Sequence, residues 1–440
     1  MLSLYAVAAL FRSAQNVAQT SLAPIGEGDL HLRAAAIGGV IALGGVAGVG
    51  STVVLGRLAV ETTVRRWMAV GLALSASSYL VLALARSPWL LVAAALLLGA
   101  GGGLIMPSLS TLVGRNPAAS APRRLAGMTV ALSASLTAGP VVDSALIGAT
   151  SGSLRSAVAL FAVLPVAGIV LVAAGGRRPA RPTASASPAA GTGATSSAPG
   201  PSEGPAGADP VPRPPLPAAP TPPTPAAPDP GTAVGRPGLA TSPWRRPGWR
   251  LATAGQLLYQ VPFMAVISFG VVAAGHLYGL APAVAQLGIS AFFAVSLSVR
   301  VVLSAGWFTV RRPKRALLLV AALSILGVAL LGLGRSEATL FVGLGLLGLP
   351  HGLVYPVALA LIAEETPPER LAHANAVFSA WTAAATVVLP LLLGGLAALG
   401  GFRTMFLALL VPVVGLGALV AYWPPPRPIT PLGSAGPLIG

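Results

Sequence analysis

The segment RPTASASPAAGTGATSSAPG, residues 181–200, shows no apolar repeat at the period of a helix or a strand. It is the middle of a run, residues 177–250, made largely of Pro, Ala, Ser, Gly and Thr. That run holds roughly half of the chain's 42 prolines. Proline removes backbone donors and does not fit a helix interior, and such a composition buries too little apolar surface to offset the entropy of ordering. The expectation is a disordered linker of polyproline II character over residues 177–249. Its position decides the rest of the reading. It separates two hydrophobic blocks, residues 1–176 and 250–423, that are alike in length and pattern. Residues 424–440 are again rich in proline and read as a disordered tail.

The 440 residues are 55% hydrophobic and 9% charged, whereas a soluble domain is about a quarter charged. Apolar stretches of about 20 residues, enough to cross a bilayer, recur through both blocks. Six fit before the linker, at residues 2–24, 32–55, 67–84, 89–113, 125–148 and 154–174. Six fit after it, at 251–274, 281–310, 316–334, 338–363, 371–399 and 402–422. The first begins at the initial methionine like a signal peptide. It lacks a basic start, carries Arg12 in its middle and is followed by many more spans, so it reads as a transmembrane helix. The expected fold class is an all-α polytopic membrane protein of twelve transmembrane helices in two six-helix bundles.

The formal net charge is +16. In a soluble protein that would suggest nucleic acid; here the basic residues occupy short loops between apolar helices, so no nucleic-acid partner is expected. One side holds Arg57, Arg65, Arg66, Arg115, Arg123, Arg124, the linker arginines, Arg311, Arg312, Lys314, Arg315, Arg370 and Arg427. The other holds only Arg33, Arg86, Arg155, Arg335 and Arg403. The positive-inside rule makes the richer side cytoplasmic. Both termini and the linker are then cytoplasmic, in a multi-pass protein of the plasma membrane. The absence of cysteine excludes disulfides and thiolate metal sites. None of the four histidines has metal-ligand spacing, there is no phosphate-binding G-x-x-x-x-G-K-[ST] loop, and no catalytic constellation is present. An enzyme is not expected, nor is a cofactor.

Three features recur at matching places in the two blocks. Gly99, Gly103 and Pro107 in the fourth span are matched by Gly348, Gly352 and Pro356 in the tenth. Gly56 and a basic turn end the second span; Gly306 and a basic turn end the eighth. Arg12, Gln15 and Asn16 in the first span align with Gln256, Tyr259 and Gln260 in the seventh. Repeated halves mark transporter architecture; small-x-x-x-small spacings also arise from helix packing alone.

On these residues the chain resembles the major facilitator superfamily, across both blocks. That family's loop signature, approximately G-x-L-a-D-r-x-G-r-k, corresponds to GRLAVETTVRR at residues 56–66 and GWFTVRRPKR at residues 306–315. The glycines and trailing basic residues match, while Val60 and Val310 stand where the family has aspartate, with Glu61 one place late. Gly139-Pro140 partly matches the fifth-helix glycine–proline motif, its later glycines being replaced by Asp143 and Ser144. Arg300, six residues before the loop glycine, also fits, whereas the fourth-helix arginine of drug/proton antiporters is absent. The resemblance implies that helices 1, 4, 7 and 10 line a central cavity. It also implies that Gly56, Arg65, Arg66, Arg300, Gly306, Arg311 and Arg315, with Pro107 and Pro356 as bends, serve gating.

Arg12, Gln15, Asn16 and Gln19 lie on one helical face. A charge near the midplane costs at least about 2.5–3.5 kcal/mol, so Arg12 must face the interior or water. These residues either bind polar or anionic substrate groups or bridge structurally, Arg12 to backbone carbonyls or Asp143. Gln256, Tyr259 and Gln260 form a facing wall or ordinary interhelical hydrogen bonds. Asp143, the only acid inside an expected span, is a proton-coupling candidate, with partnership to an arginine or exposure to a vestibule as alternatives. His351 suits a proton relay, a substrate contact or plain packing. Arg300 reads as an anchor to helix-end carbonyls. Glu364, Glu365 and Glu369 read as a surface ion-pair cluster beside Arg370. The functional expectation is a monomeric secondary transporter that exports a small organic molecule by alternating access coupled to protons. Uptake of a polar or anionic metabolite and a non-transporting scaffold or receptor are the alternatives.

Overall fold

The computed structural model describes residues 2–58, 63–114, 121–176, 246–305, 307 and 310–425. The expected linker up to residue 245, the tail beyond residue 425, and Val60, Glu61, Arg115 and Gly306 lie outside the described residues, as do the side chains of Arg123, Arg124 and Glu369. The regular elements are helices: α1 (Leu2–Pro24), α2 (Ala34–Leu58), α3 (Val64–Ala83), α4 (Pro88–Gly114), α5 (Ala121–Ala149), α6 (Leu154–Phe161), α7 (Val163–Gly176), α8 (Pro247–Tyr278), α9 (Pro282–Ser304), α10 (Pro313–Leu333), α11 (Glu337–Glu365) and α12 (Pro368–Tyr422). A π-helical turn, Ile25–Asp29, follows α1.

Ten helical stretches among the described residues are long and apolar enough to cross a membrane. The last of them, Val377–Tyr422, has 46 residues. That is about 69 Å of helix, against a hydrocarbon layer of about 30 Å. Gly401 divides it, with φ 76° and ψ 175°, a conformation essentially confined to glycine. α1 is as long as its neighbours, at 23 residues, and falls outside the ten because of its polar stripe. Dividing α12 and counting α1 agrees with the expected twelve passages. The expected sixth span is broken into α6 and α7 at Ala162. Pro165 explains the break: it has no N–H for the Phe161 carbonyl, and its ring crowds that carbonyl. α8 begins at Pro247, earlier than the periodicity suggested. Proline presets the first helical turn, and the Gly248 and Trp249 amides donate to the Glu365 carboxylate at 2.7 and 3.3 Å.

The halves pack in the same way internally. α1 lies on α5 as α8 lies on α12, and α2 lies on α4 as α9 lies on α11. The repeated glycines serve these contacts: Gly99 and Gly103 meet the α2 backbone at Gly44 and Gly48, while Gly348 and Gly352 meet α9 at Phe292 and Ser296. Between the halves, α2 packs on α12, α5 on α9 and α1 on α8.

The two ends of this helical unit differ. At the end holding Arg57, Arg65, Arg66 and the start of α10, here called the basic end, each half has its own core. One core is built around Phe11, Met68 and Leu109, the other around Trp249, Leu361 and Phe378. At the far end the first half keeps a core of its own around Tyr79, Leu82, Leu91 and Phe161, and a second core joins Ala23, Ala34, Ile37 and Leu136 of the first half to Phe269, Phe292, Leu393 and Phe402 of the second. The halves are joined at the far end and separate at the basic end. Exposed Trp89, Trp307 and Tyr422 sit at helix ends, where aromatic rings occupy the membrane–water boundary.

Candidate functional site

Between the halves lies a cavity of about 810 Å³, within the ordinary range of small-molecule sites, about 300–1,000 Å³. α1, α2 and α4 form one wall and α8, α11 and α12 the other. Its lining runs along α2 to Val53 and along α4 to Met106, towards the basic end. At the far end it is sealed. Gly38 sits against the Pro390 carbonyl, and a Cβ on Gly394 would lie 2.5 Å from the Ala34 carbonyl oxygen. Gln286 donates to Thr20 across the halves at 2.9 Å, and His276 Nε2 lies 3.0 Å from Glu27 Oε1.

Six of the expected substrate residues line the cavity: Arg12, Gln15, Gln19, Gln256, Tyr259 and Gln260. Arg12 Nη1 donates to Gln15 Oε1 at 2.6 Å. Opposite, Gln256 Nε2 donates to the Tyr259 hydroxyl and to Gln260 Oε1, both at 2.9 Å. Asn16 is not in the lining. It is buried and donates to the Leu136 carbonyl of α5 at 3.2 Å. Its repeat counterpart Gln260 makes the equivalent bond, to the Thr382 carbonyl of α12 at 3.1 Å, while also facing the cavity. In both halves an amide side chain ties the first helix to the fifth.

His351 is buried behind the wall. Tyr259, Phe263, Phe292 and Phe293 surround its ring at 4.9 to 5.6 Å between centroids, and its Nδ1 pairs with the Ser296 hydroxyl at 2.7 Å. Arg300 holds two acceptors, Ser133 Oγ of α5 at 2.6 Å and the His351 carbonyl at 3.3 Å. It therefore anchors to mid-helix groups and bridges the halves, where a helix-end anchor was expected. Asp143 is fully buried, with neither carboxyl oxygen hydrogen-bonded among the described residues. It is neither the partner of a described arginine nor open to a vestibule.

The expected gating residues stay apart. Arg65, Arg66, Arg311, Arg315 and Gly56 are exposed at the basic end, and Pro107 and Pro356 lie inside continuous helices. The described ion pairs, Arg155–Asp29 and His276–Glu27, are both at the far end. Glu365, expected in a surface ion-pair cluster, caps α8, because an anion at a helix N-terminus meets free amides and a favourable dipole. Sequence reasoning passed over Phe263, Tyr355, Thr382 and Thr386, which also line the cavity. Phe263 continues the 256, 259, 260 stripe by one turn, a signal hidden because an apolar residue in a span reads as facing lipid. Gln286, an amide inside an apolar span, was a visible signal for the far-end contact.

A family model described as Major Facilitator Superfamily matches residues 1–333 and 254–437. Solved structures share the fold at low identity. The nucleoside transporter NupG is 13% identical with a TM-score of 0.67, covering 96% of this chain and 98% of its own. A mutant of the peptide transporter POT is 16% identical with a TM-score of 0.69, covering 95% and 93%. A bacterial homolog of the human lysosomal transporter Spinster, in an inward-facing and occupied conformation, is 13% identical with a TM-score of 0.64, covering 96% and 95%. No curated protein matches the chain in sequence. With the family model matching nearly the whole chain and the fold shared along its full length, the chain belongs to the Major Facilitator Superfamily of membrane transporters.

Proposed function

We propose that this transporter exports a small polar organic molecule from the cytoplasm in exchange for protons, by alternating access. The observation that carries the reading is the cavity: polar groups from both halves meet in it, it is sealed at the far end and its lining extends towards the basic end. The positive-inside rule makes the basic end cytoplasmic, so cargo loads from there. Arg12 and Gln15 hold it on one side, and Gln256, Tyr259 and Gln260 on the other. Asp143 carries the proton. A buried carboxylate without a partner is costly, so this conformation accommodates the neutral acid, and rearrangement of α5 against α1 and α9 exposes it for release. The nucleoside and peptide transporters that share the fold fit a small organic cargo.

The test uses proteoliposomes loaded with a pH-sensitive dye and challenged with a panel of small organic compounds under imposed pH gradients. Cargo should accumulate against its own gradient only when the proton gradient opposes it. Asp143→Asn, which keeps size but removes the exchangeable proton, should abolish accumulation and leave cargo-for-cargo exchange. Unchanged accumulation by well-folded Asp143→Asn would remove Asp143 from coupling. A second reading, uptake of an anionic metabolite, is favoured by Arg12 in the lining. It requires the opposite gradient polarity in the same assay.

A further inference from the structure

Arg12 brings to the cavity a positive charge that no described residue neutralises. A guanidinium has five N–H donors. Arg12 uses one on Gln15, and no other acceptor for it occurs among the described residues. Among the described residues Arg300 binds only neutral acceptors, Ser133 and the His351 carbonyl, and its Nε is buried without a partner there. The two cations come from different halves, and each lies within electrostatic reach of the other and of Tyr259. Asp143, the sole acid away from the ends of the spans among the described residues, bonds to neither. Facing Arg12 across the cavity, Tyr259 and Phe263 line the wall with ring centroids 6.3 Å apart and planes tilted by 49°, Phe263 being backed by the stacked ring of His351, and Tyr355 adds a third aromatic side chain to the lining. Opposed walls of these two kinds suit opposed parts of one molecule.

We propose that the cargo is a small organic anion bearing a planar ring, its carboxylate taken by the free donors of Arg12 and its ring packing against the aromatic wall of Tyr259 and Phe263. This rests on the reading of the cavity as the substrate site. Guanidinium donors pair with both oxygens of a carboxylate, and stacking on an aromatic face favours a flat ring over a saturated one of equal size. Arg300 does not touch the anion. It adds positive potential from behind Tyr259, so each half contributes one charge.

The experiment measures binding to the purified full chain in detergent by calorimetry. The probes are benzoate, phenylacetate and 2-naphthoate, each against its own amide, and cyclohexanecarboxylate against benzoate. The acids should bind at least about tenfold more tightly than their amides, the ratio a charge-assisted hydrogen bond supplies. Arg12→Gln should erase that ratio, and Arg12→Lys, which keeps the charge but not the fork, should retain part of it. Phe263→Leu should remove the preference for benzoate over cyclohexanecarboxylate while leaving the acid-to-amide ratio. Equal binding of acids and amides, or an unchanged ratio in Arg12→Gln that elutes as a folded monodisperse species, overturns the proposal. Liposome assays separate the two readings. Acids that bind but are never transported would sink the transport mechanism and leave the anion site standing. Transport of neutral or cationic compounds without any acid preference would do the reverse.

Discussion

Individual side chains divide here into those that hold helices together and those that face the cavity. Asn16 and Gln260 occupy equivalent positions, yet Asn16 gives its amide to α5 while Gln260 serves both α12 and the cavity. At about 100° per residue, Gln15 and Asn16 fall at opposite edges of the stripe centred on Arg12 and Gln19. Which edge meets a neighbour depends on where α5 sits. The sequence therefore displayed the stripe and not its division. Glu365 shows the same limit: as a run of acids beside an arginine it looks like surface charge, and only the return of α8 makes it a cap. Glu365→Ala should leave cargo affinity unchanged and lower stability by about 1–2 kcal/mol, the usual worth of an N-terminal capping anion. Thermal denaturation in detergent should show a drop of about 2–4 °C, partly restored in Glu365→Gln. An unchanged melting temperature would mean that the cap contributes nothing.

Among the elements, the contact of α2 with α12 controls the far end. Gly38 and Gly394 let the two backbones approach so closely that a Cβ on Gly38 would collide with the Pro390 carbonyl. The obstacle is backbone, so it cannot turn aside as a flexible side chain would. Gly38→Leu should lever the far end apart and shift the protein away from the conformation described. The natural chain has no cysteine, so spin labels at Arg33→Cys and Leu399→Cys, both exposed at the far end, report the separation directly. The labelled distance should lengthen by several ångströms in Gly38→Leu, with loss of transport; an unchanged distance would show that the contact tolerates a side chain. Neither glycine stood out beforehand, because small residues are common throughout these spans and only the crossing of two particular helices gives one of them a role. The breaks at Pro165 and Gly401 differ in kind. They are local backbone properties, visible in principle from the residue alone.

For the whole molecule, the asymmetry between a shared far-end core and separate basic-end cores is what makes a cavity with one closed end. The linker between the halves contributes no expected span. Replacing residues 183–241 with a short Gly-Ser segment should leave membrane insertion and transport intact, as judged by expression and the liposome assay. Complete loss of activity at normal expression would assign it a regulatory task. The sequence by itself determined the membrane class, the repeated halves, the passages within a few residues and the polar stripes of α1 and α8. Each of these follows from local composition: lipid demands continuous apolar length with every backbone group satisfied inside the helix, and a charge at that depth must turn inward. Only the tertiary structure decided which stripe residues face the cavity, that Asp143 has no partner among the described residues, that Arg300 bridges the halves and that His351 lies behind aromatic rings. These depend on the register and crossing of helices distant in the chain. In lipid an apolar face packs equally well against a helix or an acyl chain, so hydrophobic pattern carries no record of which neighbour it meets.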